Sequence, residues 1–542
     1  MLQYKLNEKL LKIIGLSIFA IFCWLPMFMD FPFTANIYLT YEGAYRLYLG
    51  QVPFRDFGTS VGPGMWLLPA IFFKIFGPFF SSLIKTQVFI NIMSGICLRT
   101  LLKKLNVSEA TIFITLMLFY STYVITHFWP WYNHSVFFYQ VIALLFLVSS
   151  FYSNHRFKTL LFICLASFFT VLSFLTKQDG GGFTFLICNA LIIFVSIKRR
   201  NFKYILIYNV FFAALSAIFI FIFKPFDLFY WFNLGQYPHI SRLYFTDILH
   251  DFLSKSQLMK FFLFAILLVL IKELMRFRNV EEFIRSKNEK YILLIIITFS
   301  VVFESTIIQV TSYFPHVTIN YFYAFGMVFI LSELEKRKFF DPGKLIYLIF
   351  SLLAITVIWS NYYWFYGQKV FPSLSVNSKE ETAISKYNQY SIEEDSIKKA
   401  PKTQWVKTGL KSTNNIKFPG ESKNGILQLV ELSKRFDKEI RVLNMSQLTF
   451  LAYEMDFKPE ASSRQPLWYH RGVNVFDREV EFLCDQIRNK EYDIIIFQDI
   501  PKLRDYFPHD VFNCAKLYYV KDFVFRSSWT HADSNIEVYV LP

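Results

Sequence analysis

Three carboxylates and two guanidinium groups fall within one short polar stretch, Met29 to Gly64, that follows the first apolar segment. It reads MDFPFTANIYLTYEGAYRLYLGQVPFRDFGTSVGPG and carries Asp30, Glu42, Arg46, Arg55 and Asp56. A carboxylate held beside a hydroxyl can act as a general base, a contribution of typically about 10²–10⁴-fold. Cations nearby can stabilise a departing phosphate. The same residues could equally form a solvated loop surface in which Glu42 and Asp56 pair with Arg46 and Arg55. The loop by itself leaves both readings open.

What must position this loop is a membrane frame. Hydrophobic residues make up 54% of the 542 and aromatics 20%, while charged residues reach only 18%, against about 25% in soluble chains. Several apolar runs attain the roughly 17–25 residues that a helix needs to cross a bilayer. The formal net charge of +15 does not point to nucleic acid, because Lys and Arg sit in short clusters between apolar runs, as the positive-inside rule requires. Lys5, Lys9 and Lys12 flank an apolar run from about Leu10 to Met29 with no small-residue cleavage site after it, which reads as a retained first span.

Spans are expected at about 10–29, 84–102, 109–127, 135–152, 158–176, 182–198, 204–223, 257–275, 290–310, 319–335 and 344–366. The apolar piece Met65–Phe80 is short, contains Pro69 and Lys74, and reads as a re-entrant or interfacial helix. Leaving it out puts the basic clusters at 99–104, 156–158, 198–203, 272–290 and 336–344 on the side of the N-terminal lysines. The connections 128–134 and 311–318 then hold no Lys or Arg. Eleven spans with a cytoplasmic N-terminus follow, and the acidic loop and the C-terminus face outward.

The composition shifts near Gln368. Residues 368–421 read as a linker and 422–542 as a small soluble α/β domain, with helices at 425–436 and 478–490 and strands at 439–445, 492–500 and 535–542. No glycine-rich phosphate loop follows any of these strands. Cys23, Cys97, Cys164 and Cys188 fall in apolar runs and read as packing residues; Cys484 and Cys514 could pair in an oxidising compartment, but spacing cannot decide it.

The segment Glu42-Gly43, Gly50-Gln51-Val52-Pro53-Phe54-Arg55-Asp56-Phe57, Gly62-Pro63-Gly64 and Lys74-Ile75-Phe76-Gly77 resembles the first outer loop of the GT-C glycosyltransferases, and of their bacterial family 39-like and protein mannosyltransferase-like members in particular. More weakly, Lys85, WPWYNHS (129–135), SFLTKQDGG (173–181) and FPHVTINYFYAFGMVF (314–329) are similar to later elements of that family. The resemblance implies a polytopic α-helical membrane protein: a GT-C-like transmembrane catalytic domain over 1–367 with a helical first outer loop (30–83), the linker, and an extracytoplasmic α/β domain. It also implies transfer of a hexosyl or pentosyl group from a polyprenyl-phosphate-linked donor to an envelope glycan, lipid or protein on the outer side, with inversion.

On that resemblance Glu42 ranks first as general base and Asp56 second, with Asp30 behind them as a marker of the end of span one. The family usually has Asp where this chain has Glu42, and many members carry an acid in the second outer loop, where this chain has Asn133 and His134. No metal or other cofactor is expected, since the missing loop acid weakens the case for a divalent ion. Arg55, Lys85, His134, Lys177 and His316 are the candidates for gripping the donor phosphate or sugar. Each has an ordinary alternative: Lys85 can snorkel to the interface, Lys177 can pair with Asp179, and His316 can be a plain loop histidine. Glu304, inside a span, is either functional or hydrogen-bonded to a neighbouring helix. Two other classes of function compete, a transporter or flippase of a lipid-linked glycan and a non-catalytic scaffold. A transporter would show internal repeats and broken spans in matching halves, and the sequence shows neither.

Overall fold

The structure is a computed structural model that describes residues 6–33, 35–58, 62–123, 128–226, 228–231, 245–255, 259–277, 280–311, 320–358, 405–436, 439–461, 476–500, 507–529 and 534–542. Over the described residues the first half is helical apart from β1 (Phe31–Pro32) and short turns: α1 (Glu8–Trp24), α2 (Ala35–Tyr48), α3 (Gly64–Phe76), α4 (Phe80–Lys104), α5 (Glu109–Tyr123) and α6 (Tyr132–Phe151). There follow α7 (Arg156–Thr176), α8 (Gln178–Arg199), α9 (Lys203–Phe223), α10 (Phe245–Lys255), α11 (Met259–Leu274), α12 (Val280–Ser286), α13 (Glu289–Thr311), α14 (Tyr323–Lys336) and α15 (Leu345–Ile358). The last part mixes β2 (Trp405–Val406), β3 (Ile416–Pro419), α16 (Gly420–Ser433), β4 (Val442–Met445), α17 (Phe476–Arg488), β5 (Ile494–Asp499), α18 (His509–Tyr518), β6 (Val520–Arg526) and β7 (Asn535–Val540).

Two compact units emerge. A helical unit comprises residues 1–24, 88–219 and 239–364; a mixed unit comprises 25–87, 220–238 and 365–542. Among the described residues seven helices are long and apolar enough to cross a membrane: α1 with the turn that extends it to Phe28, α4, α6, α7, α8, α9 and α13 up to Ile308. The other expected spans run over the described residues as the shorter helices α5, α11, α14 and α15. In α9 Tyr208 is the one buried residue of 21, and Leu206, Val210, Ile218 and Phe221 all stand exposed. A helix that is apolar all round and unburied by protein needs lipid as its solvent. The chain is an integral membrane protein. α3 is a different case, since its 13 residues extend about 20 Å, short of the roughly 30 Å hydrocarbon core.

Within the helical unit the basic clusters meet at one end. Glu109 at the start of α5 accepts Arg99 at 2.8 Å and Lys103 at 3.1 Å from the last turns of α4. Arg199, ending α8, reaches Glu289 of α13. Buried Glu273 takes Lys287 at 2.6 Å, Arg276 at 2.8 Å and Arg337 at 3.0 Å. A buried carboxylate is tolerable only with such compensation. At the other end of α7 the chain reverses within one residue, Lys177, and a Cβ on Gly181 would come within 2.1 Å of the Phe174 backbone. Glycine is what lets α8 start so close to α7.

In the mixed unit, β4, β5, β7 and β6 form a four-stranded sheet in that order, β4–β5 parallel and the remaining pairs antiparallel. Leu443, Phe497, Phe512 and Tyr539 belong to the core that the sheet makes with α17 and α18. A second sheet, ordered β1–β3–β2, joins the first loop to residues 405–419. Those residues lie in the stretch expected to be linker; their short runs, Trp405–Val406 and Ile416–Pro419, become strands because β1 supplies a partner for β3 in parallel register, Phe31 opposite Ile416. Residues 368–404 of that stretch lie outside the described residues. α18 and β6 were not expected either.

Cys484 on α17 and Cys514 on α18 form a disulfide with Cα atoms 5.5 Å apart. Digestion without reductant is expected to yield the two cysteine peptides cross-linked, and replacing both by Ser to destabilise this lobe by about 2–4 kcal/mol. Free thiols at both positions in protein isolated under alkylating conditions would contradict the assignment.

Candidate active site

α2 presents Glu42, Gly43 and Arg46 because α2 and α3 pack face to face. A Cβ on Gly43 would fall 2.1 Å from the Trp66 indole, whose Nε1 donates to the Leu39 carbonyl at 3.1 Å. The small residue after Glu42 thus admits a large buried ring and fixes the helix that carries the acid.

Arg46, one turn on, is 4% exposed, and its Nε donates to Glu42 Oε1 at 2.7 Å. Its Nη1 donates to Gln51 Oε1 at 2.9 Å and to the Glu460 carbonyl at 2.7 Å, and the guanidinium lies over the Phe57 ring. Gln51 Nε2 donates to the Pro459 carbonyl at 2.9 Å. Glu42 is therefore not a solvated loop residue. It lines a cavity of about 20 Å³ with Asn444, Thr449, Phe457 and Glu460 among its neighbours, which is room for about one water. No partner for its second oxygen is present among the described residues.

Asp56 does something else. Its Oδ1 accepts from Arg55 Nε at 2.8 Å, and its Oδ2 from Arg55 Nη2 and the Val52 amide, both at 2.7 Å. The Asp56 amide returns to the Val52 carbonyl at 2.9 Å, and Phe54 N–H to Phe57 O at 2.8 Å. The turn they close holds Phe54 at φ +67°, a left-handed conformation uncommon outside glycine, with its ring buried near Phe223 and Trp231. The Arg55 guanidinium, assisted by the Val52 amide, holds the Asp56 carboxyl below the usual carboxylate range. Both of its oxygens are engaged in holding the turn.

Asp30 pairs with Lys407 at 2.9 Å and Lys417 at 3.4 Å, beside the β1–β3 pairing. Lys85, in the second turn of α4, places its ammonium 4.3 Å over the Phe76 ring. It shares a cavity of about 340 Å³ with Lys407, Asn414, Asn415 and Ser81. Glu42 and Lys85 thus line different cavities of the mixed unit. Sequence reasoning missed Lys407, Asn415 and Glu460, and quoted Gln51 only as part of the loop motif; the three differ in no visible way from other polar residues until β3 and residues 457–461 are in place.

His134 and Lys177 belong to the helical unit. His134 is buried and stacked on Tyr123, ring centroids 4.6 Å apart, and its carbonyl accepts the Tyr123 hydroxyl at 2.9 Å. Lys177 pairs with Asp179 at 2.9 Å and lies over Tyr132. Glu304 accepts from Gln140 Nε2 on α6 at 2.6 Å, the helix-to-helix bond that was one of its two readings. His316 lies outside the described residues. Among the described residues no group of three or more His, Cys, Asp or Glu is placed to hold a metal ion.

No protein-family model and no curated protein matches the chain. Among solved structures it is similar to ArnT from Cupriavidus metallidurans bound to undecaprenyl phosphate, with a TM-score of 0.50, 10% identity and 97% of both chains covered. The apo state of the same protein gives a TM-score of 0.49 at 10% identity, again over 97% of both chains. This is a GT-C fold. The oligosaccharyltransferase of Archaeoglobus fulgidus, in complex with Zn and sulfate, is matched at a TM-score of 0.44 and 12% identity, over 96% of this chain and 74% of that one.

Two outcomes follow from the geometry within this GT-C fold. Arg46→Ala is expected to destabilise the mixed unit by about 3–5 kcal/mol, as breaking a buried charge pair does, read as a lowered unfolding temperature and faster proteolysis near residues 457–461. Asp56, with its pKa lowered in the folded state, adds stability that is complete above the unfolded value of about 4 and is lost as pH falls through the lower folded value. Acid titration of unfolding should show this loss, and Asp56→Asn should flatten it.

Proposed function

We propose that this chain is a membrane glycosyltransferase that moves a sugar from a polyprenyl-phosphate-linked donor to an envelope acceptor. The observation that carries the reading is the 340 Å³ cavity at the start of α4, where Lys85 and Lys407 stand beside Asn414 and Asn415. Two ammonium groups and the Asn414 amide suit a phosphate, Asn415 Nδ2 being taken by the Met27 and Met29 carbonyls, and α4 is long and apolar enough to run from that cavity into lipid. A GT-C neighbour captured with undecaprenyl phosphate supports the same choice of ligand.

In the proposed step the acceptor hydroxyl gives its proton to Glu42 as its oxygen attacks the anomeric carbon. The bond from that carbon to the phosphate oxygen breaks, and the electron pair leaves with polyprenyl phosphate, whose charge Lys85 and Lys407 stabilise. Attack opposite the leaving group inverts the anomeric centre. Asp56 and Arg55 hold the turn, and Glu42 is the base. The space beside Glu42 admits a water and not a sugar and is separate from the cavity of Lys85, so the reading requires residues 457–461 to withdraw when an acceptor enters and the two spaces to join. His134, Lys177 and His316 remain proposed contacts for the donor.

The proposal includes eleven spans, a cytoplasmic N-terminus beside the basic helix ends, and an extracytoplasmic α/β domain. The Cys484–Cys514 disulfide supports that placement, since such bonds persist in oxidising compartments.

Transfer from a polyprenyl-phosphate sugar in proteoliposomes tests it. Glu42→Gln should lower the rate by about 10²–10⁴-fold at unchanged donor affinity, and Lys85→Ala should raise the donor KM. Glu42→Gln protein that is folded and transfers at the wild-type rate would overturn the assignment of the base.

A further inference from the structure

At the basic end of the helical unit a cavity of about 510 Å³ opens between the turn after α4, the start of α13 and the end of α14. That volume falls in the range of about 300–1,000 Å³ usual for small-ligand sites. Its polar wall includes three cations, Lys287, Lys290 and Lys336, and two acids, Glu333 and Glu335. Neither this end of the bundle nor any of these residues enters the transfer reaction proposed above.

The acids of this wall are already taken. Glu333 pairs with Arg337 at 3.4 Å and with Lys336 at 3.7 Å. Glu335 Oε2 accepts from the Ser108 hydroxyl at 2.7 Å and from that of Thr111 at 3.1 Å. The cations are less evenly served. Lys287 is held by Glu273 at 2.6 Å, but Lys290 has no carboxylate partner among the described residues. Its ammonium donates to a neutral acceptor, Asn106 Oδ1, at 2.9 Å and lies 4.9 Å over the Tyr152 ring. Lys336 is half-exposed, sits 3.9 Å over the Tyr291 ring, and shares its only close acid with Arg337. The Ser332 hydroxyl in the same wall is buried and makes no hydrogen bond among the described residues. One ammonium without a counterion, a second with a long and shared one, and an unused hydroxyl donor therefore face the same space. An anion with several acceptor oxygens completes that set; a cation would find both acids engaged.

We propose that this cavity binds the phosphate of an anionic phospholipid headgroup, of the phosphatidylglycerol type. The phosphate oxygens accept from Lys290, Lys336 and Ser332. Two features favour a lipid over a free phosphate compound. Lys290 is the second residue of the span α13 and Lys336 the last of α14, so the cavity lies where hydrocarbon gives way to headgroups. Leu105, Val107 and Leu294 also give it an apolar side, suited to glycerol and the first acyl carbons and of no use to a free phosphate. Basic pockets between helices at a membrane surface suit such headgroups. A zwitterionic headgroup would bring its own cation among the lysines, where neither wall acid is left to receive it.

The test is lipid retention by the full chain in detergent, read by native mass spectrometry after exposure to phosphatidylglycerol, phosphatidylethanolamine or phosphatidylcholine, with soluble glycerol phosphate as competitor. Phosphatidylglycerol should be retained about tenfold better than the other two, a difference of about 1.4 kcal/mol. The double variant Lys290→Ala/Lys336→Ala should erase that preference and Lys290→Arg should keep it. Lys203→Ala, at the start of α9 and outside the cavity wall, should leave it unchanged. Equal retention of the three lipids, or a preference intact in the double variant at wild-type thermal stability, would overturn the proposal. So would an equal loss in Lys203→Ala protein, which would mark a diffuse attraction to the basic surface. Displacement of the lipid by stoichiometric glycerol phosphate would overturn it too, marking a site for a free phosphate compound.

Discussion

The mixed unit depends on one buried guanidinium. Arg46 binds Glu42 on its own helix, Gln51 in the following turn and the Glu460 carbonyl 414 residues away in the chain. Removing a charge from water is costly, and only this full set of partners makes the burial tolerable. The position of the candidate base is therefore inseparable from the fold of the C-terminal part, since the residue that orients Glu42 also fastens residues 459–460.

The bilayer imposes the second constraint. Hydrocarbon gives no partner to a charge, so the helical unit keeps its charges at the helix ends and satisfies them there. Glu273 with its three cations and Glu109 with its two show how the basic clusters are used: much of the positive charge neutralises acids that hold helix ends together. Inside the helices the polar pair Gln140–Glu304 is the same principle with a hydrogen bond. The exposed apolar faces of α9 and α11 need no protein partner because lipid is their solvent.

Much of this was legible in the sequence, for reasons that differ by region. Apolar length announces a span without any tertiary knowledge, and the alternating basic clusters predicted which helix ends gather. The apolar run ending at Asp499 marked β5, because a strand buried on both faces needs no polar alternation. α18 and β6 were missed: β6 is largely exposed and mixes Lys521, Asp522 and Arg526 with aromatics, so its pattern gives no clean period. The site was harder still. Glu42 and Arg46 stand four residues apart on a helix, and their pairing could be foreseen; that the pair would be sealed by residues 457–460, and that Lys85 would be joined by Lys407, depends on contacts across hundreds of residues that no local pattern encodes.

The central claim is that the lipid carrier's phosphate seats beside Lys85, in the unit that holds Glu42. The most direct measurement is a cryo-EM structure of the full chain with a polyprenyl phosphate in nanodiscs. The account predicts phosphate density between the Lys85 and Lys407 ammonium groups, with the prenyl chain leaving along α4. Phosphate density elsewhere, with that cavity holding only solvent, would contradict it.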